Sequence, residues 1–577
     1  MERAFLAQNM SVLRASVVVE ELVRNGLDTF FVSPGNRNAP LIAAITGNPR
    51  AHARSVMDER GAAYRALGHA KATGRAGVLV CTSGTALSNY FPAVIEAFRD
   101  ELPLVVLSSD RPADLVFSDA NQTMQQPGIF GGFIRKSLFL PPPDPAYPIT
   151  ALAAHLDDLL RVKNGPVHIN CPFRDPLVPL TDPANPVCAN LLKEARGYFA
   201  KEGPQTVYAE VSEPRPDVRL VRATLEKCRR GLLSIGRLEL ENDRKAAAAL
   251  AQNLGWPVFC DVASSVKALV PPGLLLPCPD HPGARALYEK YGPETVLQLG
   301  TGFVSKHYYQ AVLAAPCLNL ILVSPRSGSR DPSNSASLRI PATVAAFAEA
   351  LGQGTISAAQ DLGAAACFLE EAGLFEKALY DATPSGLMSF PLIARTVNSL
   401  IPSGEALFLG NSSTIRAFDA EGPPASGQVS VVSNRGVSGI EGNIATTVGY
   451  AEGSGKRVTA VMGDVSFLHD VSSLLMLSRS LAPVILIVAN NRGGRIFEKL
   501  PVSGFPEICH PLMTTPHDTD ISMVCGGFGL IHQTAGTPED LGRAYSEALS
   551  SGKTRVIEAV LDPETDLTVF EKRKTVR

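Results

Sequence analysis

An aspartate and an asparagine pair, each closing an apolar run, carry the most specific chemistry in this chain: GDVSFLHD at Gly463–Asp470 and ANNRGGRIF at Ala489–Phe497. Arg457–Gly463 (RVTAVMG) reads as a strand, Phe467–Arg479 as a helix and Pro483–Val488 (PVILIV) as a second strand. A crossover of this kind makes the two strands right-handed parallel neighbours. Asp464 and Asn491 then leave the same carboxyl-terminal edge of one sheet, where open α/β sheets bind ligands. A carboxylate, an amide oxygen and the Gly493 carbonyl form a hard oxygen set suited to Mg2+, which completes its octahedron with waters and phosphates. The pattern points to a magnesium–diphosphate site, although two ordinary strand ends with turn-forming Asp, Asn and Gly would spell parts of it too.

Positioning such residues requires parallel sheets, and alternating apolar runs and helical stretches recur along the whole chain. Strands are expected at Thr29–Ser33, Gly77–Thr82, Leu104–Ser109 and Val167–Asn170, closed by a Pro-rich passage from Pro176 to Pro186. Gly231–Ile235, Val258–Asp261, Thr295–Leu299 and Leu318–Val323 follow, then a weakly patterned stretch around Gly352–Gly386. Leu407–Leu409, Val458–Met462, Val484–Val488 and Val556–Val560 complete the list. The expected fold class is α/β, with three doubly wound parallel-sheet domains and no short-period repeat.

The two opening stretches, an Asp and an NN pair each closing a parallel strand, resemble the thiamine diphosphate motif. GDxSFLHD followed by NNxGGxIF resembles one family within that superfamily, the 2-succinyl-5-enolpyruvyl-6-hydroxy-3-cyclohexene-1-carboxylate synthases of menaquinone and phylloquinone biosynthesis. The resemblance runs from Ser33 to the TTPHD stretch near Asp518. It implies a pyrimidine-binding domain at 1–185, a central domain at 205–352 and a diphosphate-binding domain at 375–577. It also implies thiamine diphosphate and Mg2+ as cofactors, with Mn2+ as a substitute. The assembly would be a homodimer or homotetramer, with the cofactor between the first domain of one subunit and the third of its partner. The substrates implied are 2-oxoglutarate and isochorismate, joined by decarboxylation of the first and 1,4-addition to the second.

Thiamine diphosphate chemistry needs a carboxylic acid beside the aminopyrimidine ring. DERGAAYRALGHAKATG at Asp58–Gly74 resembles the family's DERxAxxxALGxAKxxG, which puts Glu59 in the catalytic position. A glutamate in an apolar cleft has its charged form disfavoured and its pKa raised. Read without the family, Glu59 is an acidic residue at a helix start, where the dipole favours it. CTSGTALSNYFPAVIEAF at Cys81–Phe98 puts Thr82 in a small-residue turn that allows close approach to the cofactor, and a tight strand–helix turn explains it equally well. Asn121 and Gln122 in ANQTMQQPGIF add amides near cofactor and substrate. Ile440 matches the apolar prop of the cofactor and Phe497 an apolar wall, and both read equally as core.

Two dicarboxylate substrates need several cations, preferably arginines that grip carboxylates bidentately. Arg37 (SPGNRNAPL), Arg111 (SSDRPADL), Lys306 (TGFVSKHYY), Arg416 (GNSSTIR) and Arg435 (SNRGVSGIEG) stand at family motif positions. Arg416 and Arg435, with Ser412, are assigned to the succinyl end, and Arg37, Arg111 and Lys306 to isochorismate. His469, inside SFLHD, is expected to be structural. Departures from the family spelling are Asn36 and Asn38 beside Arg37, Ile134–Lys136 without a tryptophan, Glu441 in place of Asp, and Arg492 and Arg495 in the metal loop.

Bulk properties agree with a large soluble enzyme, and a cytoplasmic location is expected unless an organellar transit peptide has been trimmed. The hydrophobic fraction of 45% supplies sizeable cores over 577 residues, and a net charge of −3 offers no excess of cations for nucleic acid. Lys572–Lys574 reads as a solvated tail. Ten scattered cysteines without a CxxC pair read as buried free thiols in a reducing compartment. MERAFLAQNMSVLRASVVVEELV carries Glu and Asn through its apolar run and reads as an amphipathic helix, with no membrane insertion expected. Two rival functions remain at this level: a thiamine diphosphate carboligase acting on simple 2-oxoacids, as acetolactate synthases do, and a non-enzymatic thiamine diphosphate-binding regulator. The five cations argue against the first, and Glu59 with the metal set against the second.

Overall fold

In the computed structural model the described residues are 9–184, 186–209, 215–276, 281–314, 319–328, 330–352 and 360–576. They form two compact units, one within Met1–Val211, Asn434–Gly455 and His469–Ala482, the other within Ser212–Ser433, Lys456–Leu468 and Pro483–Arg577.

The first unit is built on six parallel strands: β1 (Thr29–Val32), β2 (His52–Ser55), β3 (Gly77–Cys81), β4 (Leu104–Asp110), β5 (Lys136–Phe139) and β6 (Pro166–Pro172). Their order is β2-β1-β3-β4-β6-β5. β3, β4 and β6 are buried along their whole length, as strands covered by helices on both faces must be. Helix Met10–Arg24, capped by the Asn9 side chain at 2.9 Å from Val12 N, lies in this core. It was expected to be amphipathic but is buried on every side from Ser11 to Val23; its acids survive burial by pairing, Glu20 with Arg24 at 2.9 Å and Glu21 with the Tyr198 hydroxyl.

The second unit holds two sheets. β7 (Gly231–Ile235), β8 (Val258–Cys260), β9 (Thr295–Leu299), β10 (Asn319–Val323) and β11 (Ala336–Ile340) form one in the order β11-β10-β9-β7-β8. β12 (Ala406–Leu409), β13 (Ser430–Val432), β14 (Val458–Gly463), β15 (Val484–Asn490), β16 (Ile531–Ala535) and β17 (Arg555–Val560) form the other, ordered β13-β12-β14-β15-β17-β16. This last order repeats that of the first unit's sheet strand for strand. In both, the chain leaves one strand to opposite sides, so that β1/β3 and β12/β14 each flank a switch point where doubly wound sheets open a crevice at the carboxyl ends.

Several expectations are corrected. The helix foreseen over Phe467–Arg479 is broken into Asp464–His469, a 3-10 turn at Val471–Ser473 and Leu474–Ser478, and Asp464 is itself the first helical residue. The stretch 352–386 holds the twenty-residue helix Leu362–Asp381, whose Phe368 and Ala372 pack with Tyr288 and Tyr291 beside the middle sheet. Lys572–Lys574 ends helix Pro563–Lys574; there Arg573 is buried, pairing with Glu421 Oε1 at 2.7 Å and donating to Thr383 Oγ1 at 2.7 Å. Of the cysteines, Cys188 and Cys367 are exposed and Cys81, Cys171, Cys228, Cys260, Cys509 and Cys525 are buried and free, while Cys278 and Cys317 lie outside the described residues.

Candidate functional site

In the first unit, the turns after β1, β3 and β4 bring expected residues together. Arg111 Nη1 donates to Ser83 Oγ and to the Gln122 carbonyl, each at 2.7 Å, and Gln122 Nε2 returns a bond to the Ser83 carbonyl at 2.9 Å. Gln122 adopts a left-handed backbone at φ +59 to do so. Arg37 donates to the Phe173 carbonyl at 3.0 Å; burial and the Arg111 charge lower its pKa, while Asp175 and Asp110 oppose them. Two guanidiniums that repel one another gain most from an anion placed on them both. Thr82 Oγ1 in the same turns is buried with no hydrogen-bond partner among the described residues, an expensive condition that a polar ligand would relieve. Asn121, beside Gln122, is exposed.

Glu59 opens helix Glu59–Thr73, which Asp58 caps through Gly61 N at 3.3 Å. Burial raises its pKa above the ordinary carboxylate range, a backbone hydrogen bond opposes this, and the Asp58 charge adds to it. Asp58 also receives Ser472 Oγ at 2.6 Å, and Arg60 donates to the His469 carbonyl at 2.9 Å. His469, expected to be structural, meets Arg60 through that carbonyl, and its Nδ1 lies 3.5 Å from Arg60 Nη1. Ile440 is half-buried in a loop whose next residue, Glu441, accepts the Tyr64 hydroxyl at 3.1 Å. Gly442 follows at φ +65, where a Cβ would fall 1.9 Å from the Tyr64 ring, so only glycine lets the loop turn onto this helix.

In the second unit, β14 and β15 pair in parallel up to Gly463↔Ala489, setting Asp464 and Asn491 at one sheet edge as expected. Asp464 is 2% exposed: Oδ1 accepts Val465 N at 2.7 Å and Oδ2 accepts Gly493 N at 2.8 Å. Burial raises its pKa against those two bonds. A buried carboxylate met only by N–H dipoles and an imidazole is the kind of charge a divalent cation compensates. The Gly493 carbonyl accepts Arg495 N at 2.9 Å and keeps a second lone pair, so that with the Asn491 amide the residues fit Mg2+. His517 Nε2 lies 3.3 Å from Asp464 Oδ2. No role had been foreseen for it; its signal was the TTPHD stretch in which it sits.

Asn490, the other half of the NN pair, is structural: it donates to Glu558 Oε1 at 2.7 Å and accepts Arg492 N at 3.0 Å. Arg495 spends its charge within the loop, on Glu498 at 2.7 Å and the Asn491 carbonyl at 2.9 Å, whereas Arg492 is exposed. Ser412 ends the turn after β12 at φ +70, and the exposed Arg416 donates to its carbonyl at 2.7 Å. Phe497 is half-buried in the turn Arg495–Lys499, and Lys306 is exposed at the start of helix Lys306–Ala314.

The chain matches the thiamine pyrophosphate enzyme N-terminal TPP binding domain over residues 14–129, the thiamine pyrophosphate middle domain over 199–364 and the C-terminal TPP binding domain over 424–559. Fold and site thus define a thiamine pyrophosphate enzyme. It is similar in fold to a crystal structure of a candidate thiamin diphosphate-dependent enzyme from Mycobacterium smegmatis, with a TM-score of 0.69 at 17% identity over 95% of this chain and 99% of that one. A 2-succinyl-5-enolpyruvyl-6-hydroxy-3-cyclohexene-1-carboxylate synthase of Syntrophus aciditrophicus is 50% identical over 99% of both chains. Those of Rubrobacter xylanophilus and Chlorobaculum tepidum are 38% and 36% identical, over 96% of both chains and over 98% and 97% respectively. The chain belongs to the 2-succinyl-5-enolpyruvyl-6-hydroxy-3-cyclohexene-1-carboxylate synthase family. No helix among the described residues is long and apolar enough to cross a membrane.

Proposed function

We propose that this chain decarboxylates 2-oxoglutarate and transfers the succinyl unit to isochorismate by 1,4-addition, giving 2-succinyl-5-enolpyruvyl-6-hydroxy-3-cyclohexene-1-carboxylate and CO2. Thiamine diphosphate, when bound, supplies the nucleophilic carbon and the electron sink for that chemistry. The observation that supports the reading best is the buried Asp464 beside Asn491 and Gly493 at the sheet edge, a hard-oxygen set for Mg2+ and a diphosphate.

Within the first unit, Glu59 exchanges a proton with the cofactor's aminopyrimidine; its raised pKa keeps it closer to the operating range of a general acid–base. Arg37 and Arg111, with Gln122, receive isochorismate carboxylates, and Thr82 and Asn121 supply polar contacts to the cofactor. Arg435 takes a carboxylate of 2-oxoglutarate, and Ile440 serves as the apolar prop of the cofactor. Within the second unit, Asp464, Asn491 and the Gly493 carbonyl hold Mg2+, Mn2+ substituting. Ser412 and Arg416 face 2-oxoglutarate, Lys306 serves isochorismate, and Phe497 forms an apolar wall. Domains at 1–185, 205–352 and 375–577, a cytoplasmic location and a homodimer or homotetramer complete the proposal.

Loss of isochorismate absorbance with Mg2+, thiamine diphosphate and 2-oxoglutarate, each omitted in turn, tests the reading. Dependence on every component, lost in Glu59→Gln, is the expected result. CO2 release from 2-oxoglutarate or pyruvate with no loss of isochorismate would overturn the choice of acceptor.

A further inference from the structure

The loop carrying Arg435 is held on both sides of that residue by groups of the first unit. Before it, Asn434 is 2% exposed and donates from Nδ2 to Thr446 Oγ1 at 3.0 Å and Asn443 Oδ1 at 3.4 Å. After it, the carboxylate of Glu96, on helix Phe91–Asp100, takes two consecutive backbone N–H groups: Gly436 on Oε1 and Val437 on Oε2, each at 2.7 Å. Glu96 is 1% exposed. A Cβ on Gly436 would come 2.6 Å from the Glu96 carbonyl oxygen and 3.0 Å from its carboxyl carbon, so this approach is closed to any other residue. Past the clamp the chain emerges: Val437 and Ser438 are exposed, and Ser438 turns at φ +61.

Two acceptor oxygens matched to two adjacent N–H groups are something only a carboxylate offers. A glutamine would present one acceptor and an amide N–H2 against the second N–H. Burial and the Asp100 charge push the Glu96 pKa up, opposed by Lys71, itself 2.8 Å from Asp100, and by the two N–H groups. The backbone on either side of Arg435 is thus fixed by buried polar contacts, while its own side chain is half-buried.

We propose that Glu96 is a positioning residue for 2-oxoglutarate: by clamping Gly436 and Val437 it sets the backbone from which the Arg435 guanidinium meets a substrate carboxylate. The inference rests on the reading of Arg435 as a 2-oxoglutarate ligand. It separates Glu96 from the family's cofactor contacts, since the residue acts through the arginine loop.

Steady-state kinetics of cofactor-loaded Glu96→Gln, Arg435→Ala and the double variant test it, alongside thermal melts. Glu96→Gln should raise the KM for 2-oxoglutarate about tenfold, the scale of one hydrogen bond to a charged group, and leave the isochorismate KM within about twofold. The double variant should be no worse than Arg435→Ala alone. Gly436→Ala, which pushes the same loop off Glu96, should reproduce the KM change and serves where Glu96→Gln folds poorly. An unchanged 2-oxoglutarate KM in Glu96→Gln and Gly436→Ala, with a raised one in Arg435→Ala, overturns the role of Glu96 and spares the substrate reading. An unchanged KM in Arg435→Ala overturns that reading and the inference with it. Equal rises in both substrates' KM, or a double variant that multiplies the single effects, overturn the inference as well.

Discussion

The Tyr64 hydroxyl donates to Glu441 Oε1 at 3.1 Å, joining the helix that begins at Glu59 to the loop that carries Ile440. The same ring fills the space that a side chain at 442 would need. Removing the hydroxyl in Tyr64→Phe leaves the packing and deletes one hydrogen bond to a carboxylate. Urea unfolding should show a loss of about 1.5 kcal/mol with an unchanged m-value. Glu441→Asp, which restores the family spelling on a shorter arm, should lose the same bond. A Glu441→Asp variant as stable as the parent would show that the longer side chain is not required for this contact.

Arg65 and Glu452 form a two-pronged pair between helices Glu59–Thr73 and Asn443–Ser454, with Nε at 3.1 Å and Nη2 at 2.7 Å from the carboxylate, both side chains largely buried. Breaking it on one side leaves the other charge without its partner. Arg65→Met or Glu452→Gln should each cost on the order of 3 kcal/mol, whereas Arg65→Met/Glu452→Leu should recover most of that loss. Denaturant midpoints of the four proteins decide it, and additive losses in the double variant would argue against a coupled pair.

Asp470 accepts the N–H groups of Ile444 at 2.8 Å and Ala445 at 3.1 Å and the Ser473 hydroxyl at 2.8 Å. Burial raises its pKa to about 6, opposed by those bonds and by the Arg60 charge. The folded state therefore binds this proton more tightly than the unfolded chain does. Stability from this group is greatest at low pH, falls as pH rises through the interval from the unfolded value of about 3.9 to the folded one, and is level above it. In the cofactor-free protein, the midpoint difference between Asp470→Asn and the parent should shift in favour of the variant between pH 4 and pH 7. A difference independent of pH would mean that Asp470 is not protonated over that range.

Ligands that bind only the folded state raise its stability by about 2.7 kcal/mol at a hundredfold excess over Kd. Mg2+ with thiamine diphosphate should raise the melting temperature of the parent, and a chelator should reverse the shift. Asp464→Ala should melt at one temperature with or without both ligands. An undiminished ligand shift in that variant would remove Asp464 from the metal site.

Every interior strand was legible in the sequence, and five of the six edge strands were not. His52–Ser55, Lys136–Phe139, Ala336–Ile340, Ser430–Val432 and Ile531–Ala535 all stand at sheet borders, part exposed, with no continuous apolar run to mark them. Interior strands read clearly because helices cover both faces and demand apolar residues at each position. Residues such as Asp464 and Asn491 were legible for a related reason: a strand end fixes where its next residue lies. His517 and Glu96 were not. Each acts on a segment remote in sequence, on Asp464 and on Gly436, and no local spacing records such a partnership. Arg573 was mistaken for part of a loose tail because a cluster of cations looks the same in sequence whether it meets water or a buried glutamate.

Helix Glu59–Thr73 packs against Asn443–Ser454, and both belong to the unit begun by the first two hundred residues. A ribosome making this chain therefore releases the opening sheet long before the segments that complete its unit exist. During that interval Tyr64, Arg65 and Glu96 have no Glu441, Glu452 or Gly436 to meet, and the surfaces they seal stay open to water. Contacts closed over such long stretches of chain form late and leave intermediates prone to aggregation. Recovery of this protein from a fast expression host should consequently depend on chaperone supply and on slow growth, more than its finished stability would suggest.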